Sequence, residues 1–253
     1  MPKRFDSRVA LVTGGNSGIG KAVAMAFARE GAKVVIASRR VQQSEQVVTE
    51  IIENGGAAHF VQTDVSSSKQ VKAMVDACIA KFGSLDYAVN NTGVEGTPMV
   101  PTADYEEHVW DQVIDINLKG VWLCMKYEIP HLLSSGHGAI VNMGSVAGFI
   151  GGRLGIAYFA SKHGVVGMTK AAALEYADQG LRINSVCPAV IDTPMVEREF
   201  AGKEEQVEKT KALHPVGRFG QPEEVAAAVL WLCSDEASFI TGHSLPVDGG
   251  RII

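Results

Sequence analysis

Short apolar runs rich in Val and Ile alternate along the chain with longer stretches in which apolar residues recur every three to four positions. A short apolar run without polar alternation suits a strand buried on both faces, and the longer period suits a helix packed by one side. Strands are predicted at residues 8–13, 33–38, 59–63, 85–90, 139–143, 182–186 and 244–247, and helices at 19–30, 42–53, 68–82, 105–133, 157–178 and 222–233. Strand followed by helix, repeated, is the order of parallel strands joined by crossover helices, so the expected class is α/β. Pro222 followed by Glu223 and Glu224 marks a helix start, since proline fits the first turn and carboxylates suit its positive end.

Residues 192–220 break this rhythm. Glu197, Arg198, Glu199, Lys203, Glu204 and Glu205 crowd a stretch that holds Pro194 and Pro215, and its place after the sixth strand suggests a substrate lid. A solvated helical excursion without function is the alternative. No repeat, low-complexity tract or linker divides the chain. At 253 residues, 46% hydrophobic and 20% charged, one well-buried domain over 1–253 is expected.

A net charge of -5 argues against a nucleic-acid partner, which would call for a basic stripe. The N-terminus reaches only four apolar residues, 9–12, before Thr13 and Gly14, too few for a signal-peptide core, and no run approaches membrane-spanning length. A cytoplasmic protein without a membrane partner is expected. Cys78, Cys124, Cys187 and Cys233 are far apart and lie in apolar patterns, which reads as buried thiols in a reducing compartment. The seven histidines form no H-E-x-x-H pattern and the acids no calcium loop, so no catalytic metal is expected.

The first strand runs into Thr13-Gly14-Gly15-Asn16-Ser17-Gly18-Ile19-Gly20 and then an Ala-rich helix. Strand, glycine turn and helix in this order let backbone N–H groups and the helix dipole cradle a diphosphate. At the end of the second strand a carboxylate would bind the adenosine 2′-hydroxyl of NAD, whereas Ser38, Arg39 and Arg40 stand there and suit a 2′-phosphate. NADP(H) is therefore preferred and NAD(H) is the alternative. After the third strand, Asp64 with Val65 could hold the adenine amino group, or Asp64 could cap the following helix. After the fourth, Asn90-Asn91-Thr92-Gly93 allows close backbone approach to a cofactor, although a plain loop explains it too.

Tyr158 and Lys162 stand one helical turn apart, on one face. At about 5 Å and an effective dielectric of about 20, an ammonium attracts a phenolate by roughly 3 kcal/mol. That would bring a tyrosine pKa of about 10 down by about two units, towards proton exchange near neutral pH.

Taken in order, residues 13–20 and 90–93 with Asn117, Ser145, Tyr158 and Lys162 resemble the short-chain dehydrogenase/reductase family, over essentially the whole chain. The resemblance implies a Rossmann-type doubly wound seven-stranded parallel sheet with helices on both faces. It implies a catalytic set in which Tyr158 exchanges the proton, Ser145 bonds the same oxygen, Lys162 holds the nicotinamide ribose and Asn117 anchors a water leading to solvent. By the same resemblance Asn91 and Gly93 approach the cofactor, while Pro188, Ile191 and Thr193 flank the nicotinamide. Thr92 and Ala189 depart from the usual Ala and Gly, and Asn16 and Ser17 replace the basic residue of one NADP-using subgroup. The resemblance also implies a homo-oligomer, tetramer or dimer.

The implied activity is hydride transfer between NADP(H) and a small-molecule secondary alcohol or ketone. A non-catalytic NADP-binding sensor would be expected to lose Tyr158 or Lys162, and an epimerase or dehydratase of the extended branch usually carries a larger C-terminal domain. The pocket is expected to be mainly apolar, with Val94, Ala189, Val190 and Met195 in its lining. Glu95 is expected to point to water from an exposed loop; facing the pocket, it would disfavour anionic substrates and suit a polyol or a cationic group.

Overall fold

In the computed structural model, which describes residues 3–253, the apolar runs become β1 (Val9–Thr13), β2 (Lys33–Ser38), β3 (Ala57–Gln62), β4 (Tyr87–Asn90), β5 (Ala139–Met143), β6 (Arg182–Pro188) and β7 (Ser244–Val247). Residues 1 and 2 of the N-terminal stretch lie outside the described residues. All neighbouring strands pair in parallel, in the order β3-β2-β1-β4-β5-β6-β7. The winding reverses between β1 and β4, where Ala10 faces Tyr87 and Val12 faces Val89. In a doubly wound sheet that reversal opens a crevice at the carboxyl ends of the strands.

The absence of alternation in the strand sequences has a direct cause. All five residues of β1 are buried, with Val9 and Leu11 packed on one face of the sheet and Ala10 and Val12 on the other. Helices α1 (Gly18–Arg29), α2 (Val41–Glu53) and α9 (Pro222–Cys233) cover the second of these faces. Helices α3 (Ser68–Phe82), α5 (Gly120–Ser135) and α6 (Ile156–Tyr176) cover the first. Each fully buried Val or Leu stabilises by roughly 1.5–3 kcal/mol, so both layers hold the central strands strongly. The four cysteines are free and buried within these layers.

Several elements depart from the sequence reading: β4 begins two residues later than expected, β6 runs two residues further, and β3 and the long fourth helix differ as follows. β3 begins at Ala57, because Ala57 and Ala58 extend the ladder to Lys33 and Val34. The helix expected over 105–133 starts at Glu107, as α4 (Glu107–Ile114), and widens into a π-helical turn at Asp115–Lys119 before α5 continues to Ser135. The wide turn carries Asn117, whose buried side chain is bonded sideways to the loop after β4. Such turns recur where a side chain must leave the regular helix path. No helix among the described residues is long and apolar enough to cross a membrane.

Behind the crevice, Asn90 Nδ2 donates to Glu128 Oε2 and to Asn142 Oδ1, both at 3.1 Å, and Asn142 Nδ2 donates to Thr169 Oγ1 at 3.0 Å. This polar strip ties β4 and β5 to α5 and α6. Burial pushes Glu128 up to about 8, against the opposing hydrogen bond from Asn90. A carboxyl raised on folding contributes stability below its unfolded pKa that is lost as pH rises through its folded value. The melting temperature should therefore fall between about pH 5 and about pH 9, and Glu128→Gln should flatten that fall; parallel curves for the two proteins would show that Glu128 is not the group responsible.

Candidate active site

A cavity of about 490 Å³ opens at the crevice. Its floor is set by the link between β1 and β4. Thr13 Oγ1 accepts from Asn91 N at 2.9 Å and Thr92 N at 3.1 Å, while Asn91 Nδ2 donates back to Thr13 O at 3.0 Å. Gly14 (φ +66°) turns the chain beside Asn91, and a Cβ on Gly20 would collide with the carbonyl oxygen of Gly14 and with Asn91 Nδ2. Only glycine fits there. Ser17 makes no side-chain cap on α1, and the first turn of α1 carries no acid. The N-terminal N–H groups of α1 thus face the cavity without a side-chain acceptor, a setting that fits a dinucleotide diphosphate.

At one end of the cavity the two arginines differ. With the Asn16 amide turned so that its oxygen faces Arg40, it accepts from Nε at 3.0 Å and Nη2 at 2.9 Å, and Arg40 Nη2 also donates to Ser17 Oγ at 2.8 Å. Arg40 is committed to the glycine turn. Ser38 Oγ is turned inward to Ser44 Oγ at 2.7 Å. Arg39 makes no side-chain hydrogen bond or ion pair among the described residues and lines the cavity. Asp64 Oδ1 accepts from Ser66 N and Ser66 Oγ at 3.0 and 2.7 Å. Burial opposes its ionisation, yet the Ser66 bonds and the nearby Arg39 hold its carboxyl below the usual value. Asp64 does not cap α3, a task taken by Ser67.

At the other end, Ser145 follows β5, and Tyr158 and Lys162 stand on the first turns of α6. Ser145 Oγ accepts from Ala147 N at 3.1 Å and reaches Pro188 O at 3.4 Å. Lys162 Nζ donates to Met143 O at 2.8 Å and lies 5.6 Å from the centre of the Tyr158 ring. Asn117 lies outside the cavity lining. Its Oδ1 accepts from Val94 N and its Nδ2 donates to Val94 O, each at 2.8 Å. Apart from Asn117, every residue predicted for catalysis or cofactor contact lines this one cavity.

An enoyl-(acyl carrier protein) reductase family model matches residues 14–251. The chain is 46% identical to a cyclohexanol dehydrogenase from Acinetobacter sp. (strain SE19), over 98% of this chain and 96% of the relative. It is 42% identical to a cis-4-hydroxycyclohexanecarboxylate dehydrogenase from Sinomonas cyclohexanicum, over 99% and 98%. The crystal structure of levodione reductase superposes with a TM-score of 0.94 at 37% identity, covering 98% of each chain. The chain belongs to the short-chain dehydrogenase/reductase family. It is an NAD(P)-dependent oxidoreductase acting on CH–OH groups.

In this short-chain dehydrogenase/reductase the electrostatics correct two expectations. Tyr158 is pushed up, not down. Its burial outweighs the neighbouring Ser145 hydroxyl, and the acids Glu95 and Glu199 add to the rise. Lys162 is itself desolvated, which brings it down to about 8, and its ammonium donates to Met143 O. The amide protons of Asn117 go to Val94 O and, at 3.4 Å, to Ser161 Oγ. Finally, Glu95 lines the cavity instead of pointing to water, and its Oε1 is buried without a hydrogen-bond partner.

Next to Glu95, Gly96 adopts φ +78°, and a Cβ there would collide with the Tyr105 hydroxyl. Sequence reasoning placed neither Arg198 nor Glu199 at the cavity. Both stand on α7 (Pro194–Phe200), where Arg198 lines the cavity and Glu199 is close enough to raise Glu95. The signal was present in the spacing: Met195, Arg198 and Glu199 share one helical face. For the glycine turn, Gly20→Ala should weaken NAD(P)H binding at least tenfold and destabilise by about 1–3 kcal/mol. Equilibrium cofactor titration with thermal melting checks this, and unchanged binding would remove the tight approach at Gly20 from the account.

Proposed function

We propose that the chain transfers a hydride between NADP(H) and a secondary alcohol or its ketone, on a ring of about cyclohexanol size. The reading is carried by the convergence of Ser145, Tyr158 and Lys162 at one end of a cavity whose other end holds the glycine turn and the uncommitted Arg39. Two relatives that align over nearly the whole chain are named for ring alcohols, which supports the substrate class.

When bound, the dinucleotide supplies or accepts the hydride. Tyr158, favoured as a neutral phenol by burial, donates its proton to the carbonyl oxygen in reduction, and in oxidation its phenolate, formed at higher pH, takes the proton of the hydroxyl. Ser145 Oγ bonds the same oxygen. Lys162, steadied on Met143 O, holds the nicotinamide ribose, while Ile191 and Thr193 flank the carboxamide. Asn117 acts as a positioning residue, fixing the Val94 backbone at the cavity wall. Asp64 keeps Oδ2 for the adenine amino group.

Arg39 takes the 2′-phosphate. NAD(H) is the second reading, favoured by the engagement of Arg40 with Asn16 and Ser17, which leaves one guanidinium instead of two for that phosphate. The segment 192–220 is read as the lid of this site. Association into a homo-oligomer, tetramer or dimer, belongs to the same proposal, supported by Trp122 on α5 and Leu174 on α6, both exposed.

Tyr158→Phe should lower kcat about 10²- to 10⁴-fold while leaving the cofactor Kd within about twofold, and equal kcat would remove Tyr158 from the proton path. Because the phenol is raised, alcohol oxidation by the wild type should climb into the alkaline range and ketone reduction should fall over the same span. Matched titrations should give tighter binding of NADPH than NADH, and Arg39→Asp should reverse that order; tighter NADH binding by the wild type would overturn the cofactor choice.

A further inference from the structure

The carboxyl of Glu95 has no role in the proton path or in cofactor binding, yet it is directed into the cavity that holds Tyr158. A buried oxygen without a partner costs stability unless a ligand or water completes it. Oε1 of Glu95 is such an atom. Val94, Met195 and Val196 line the same cavity and offer a ligand no directional hydrogen bond from their side chains.

Charge narrows what can bind there. Glu199 faces Glu95 and each is half-buried, so desolvation raises both, and Glu199 adds to the rise of Glu95. Arg198 acts on the same group with the opposite sign, and Lys203 lowers Glu199. The two acids are balanced by Arg198 and Lys203, so the cluster carries little net charge. An anionic ligand meets two carboxyl groups and a cationic one meets the Arg198 guanidinium. A neutral hydroxyl or carbonyl oxygen meets neither penalty, because a carboxyl group can accept from the first and, when protonated, donate to the second.

We propose that Glu95 is a specificity-determining residue that binds a second, uncharged oxygen of the substrate, so that the preferred substrates are ring diols or hydroxyketones instead of simple ring alcohols or hydroxy acids. The proposal rests on the reading that Tyr158 and Ser145 hold the reacting oxygen in this cavity. Glu95 then reads the far side of the ring, and a substrate lacking that oxygen leaves Oε1 unpaired in a closed site.

The test compares cyclohexanol, cyclohexane-1,4-diol and 4-hydroxycyclohexanecarboxylate on the wild type, Glu95→Gln and Glu95→Leu, using kcat/KM. For the wild type the diol should exceed cyclohexanol by about tenfold, the size of one good hydrogen bond. Glu95→Leu should bring that ratio to about one, and Glu95→Gln, which keeps an acceptor and a donor, should retain most of it. The hydroxy acid should be poor on the wild type and gain about tenfold in Glu95→Gln, where the carboxylate charge is gone. A diol-to-alcohol ratio that is the same in all three proteins overturns the proposal, as does a hydroxy acid that the wild type handles as well as the diol. Calorimetric binding of the diol to the cofactor-loaded protein separates this failure from failure of the enzymatic reading. With no turnover of any ring alcohol, diol binding that is tighter than cyclohexanol binding and weakened by Glu95→Leu still supports the role of Glu95. Equal binding refutes it.

Discussion

The lacing of β1 to β4 at Thr13 and Asn91 is the constraint from which the rest of the site follows. These are the strands between which the winding reverses, so no crossover helix closes the gap above them. One hydroxyl, accepting from two backbone N–H groups, and one amide, returning to the Thr13 carbonyl, span the strand ends instead. Leaving either buried N–H unpaired would cost about 1–3 kcal/mol, so the lacing is strongly held. Because the Asn91 amide fills the space beside the first turn, Gly14 and Gly20 have no room for a Cβ. The turn is therefore tight, α1 begins close to the strand, and its first N–H groups are left to a ligand.

The same crevice explains why Tyr158 departs from the simple Coulomb expectation. An attraction of roughly 3 kcal/mol between ammonium and phenolate assumes that both stay solvated enough to be charged. In the closed end of the cavity, desolvation works against each charge, and full burial can move a group by about 3–5 units. Lys162 therefore descends to about 8 while Tyr158 rises. A buried phenol beside a serine hydroxyl is ready to give a proton to a carbonyl oxygen, and it needs alkaline conditions or a bound partner charge to take one back. The Asn117 clamp on Val94 keeps the wall of this closed end in place, at the cost of a π-helical turn between α4 and α5.

Much of this was legible in the residues. Uninterrupted Val and Ile runs gave the strands, because burial on both faces removes the need for alternation. The positions of the glycine turn and of Ser145, Tyr158 and Lys162 follow from elements whose periods are clear. What was not legible depends on contacts distant in sequence. Nothing local to Asn117 announces that its amide will bond Val94, 23 residues away, or that the helix must widen to allow it. Arg39 and Arg40 are equivalent as letters, and only the approach of Asn16 and Ser17 commits one of them. Glu95 reads as a loop acid, and nothing in its neighbouring letters announces that it lines the cavity.

Residues 192–220 form a charged excursion whose first helix reaches the cavity. Its base is fixed: Asp192 N donates to Gly220 O at 2.8 Å, Gly220 N donates to Val190 O at 3.0 Å, and the buried His214 bridges Val190 N at 3.4 Å and Thr210 O at 2.9 Å. Beyond that base, α7 and α8 (Glu204–Lys211) contain no buried residue. A segment anchored at its ends and weakly packed along its length opens at low free-energy cost. Thr193 lies at the junction, capping α7 and packing its methyl near Gly18. The glycine turn and α7, the helix that carries Arg198 and Glu199, therefore lie side by side at Thr193.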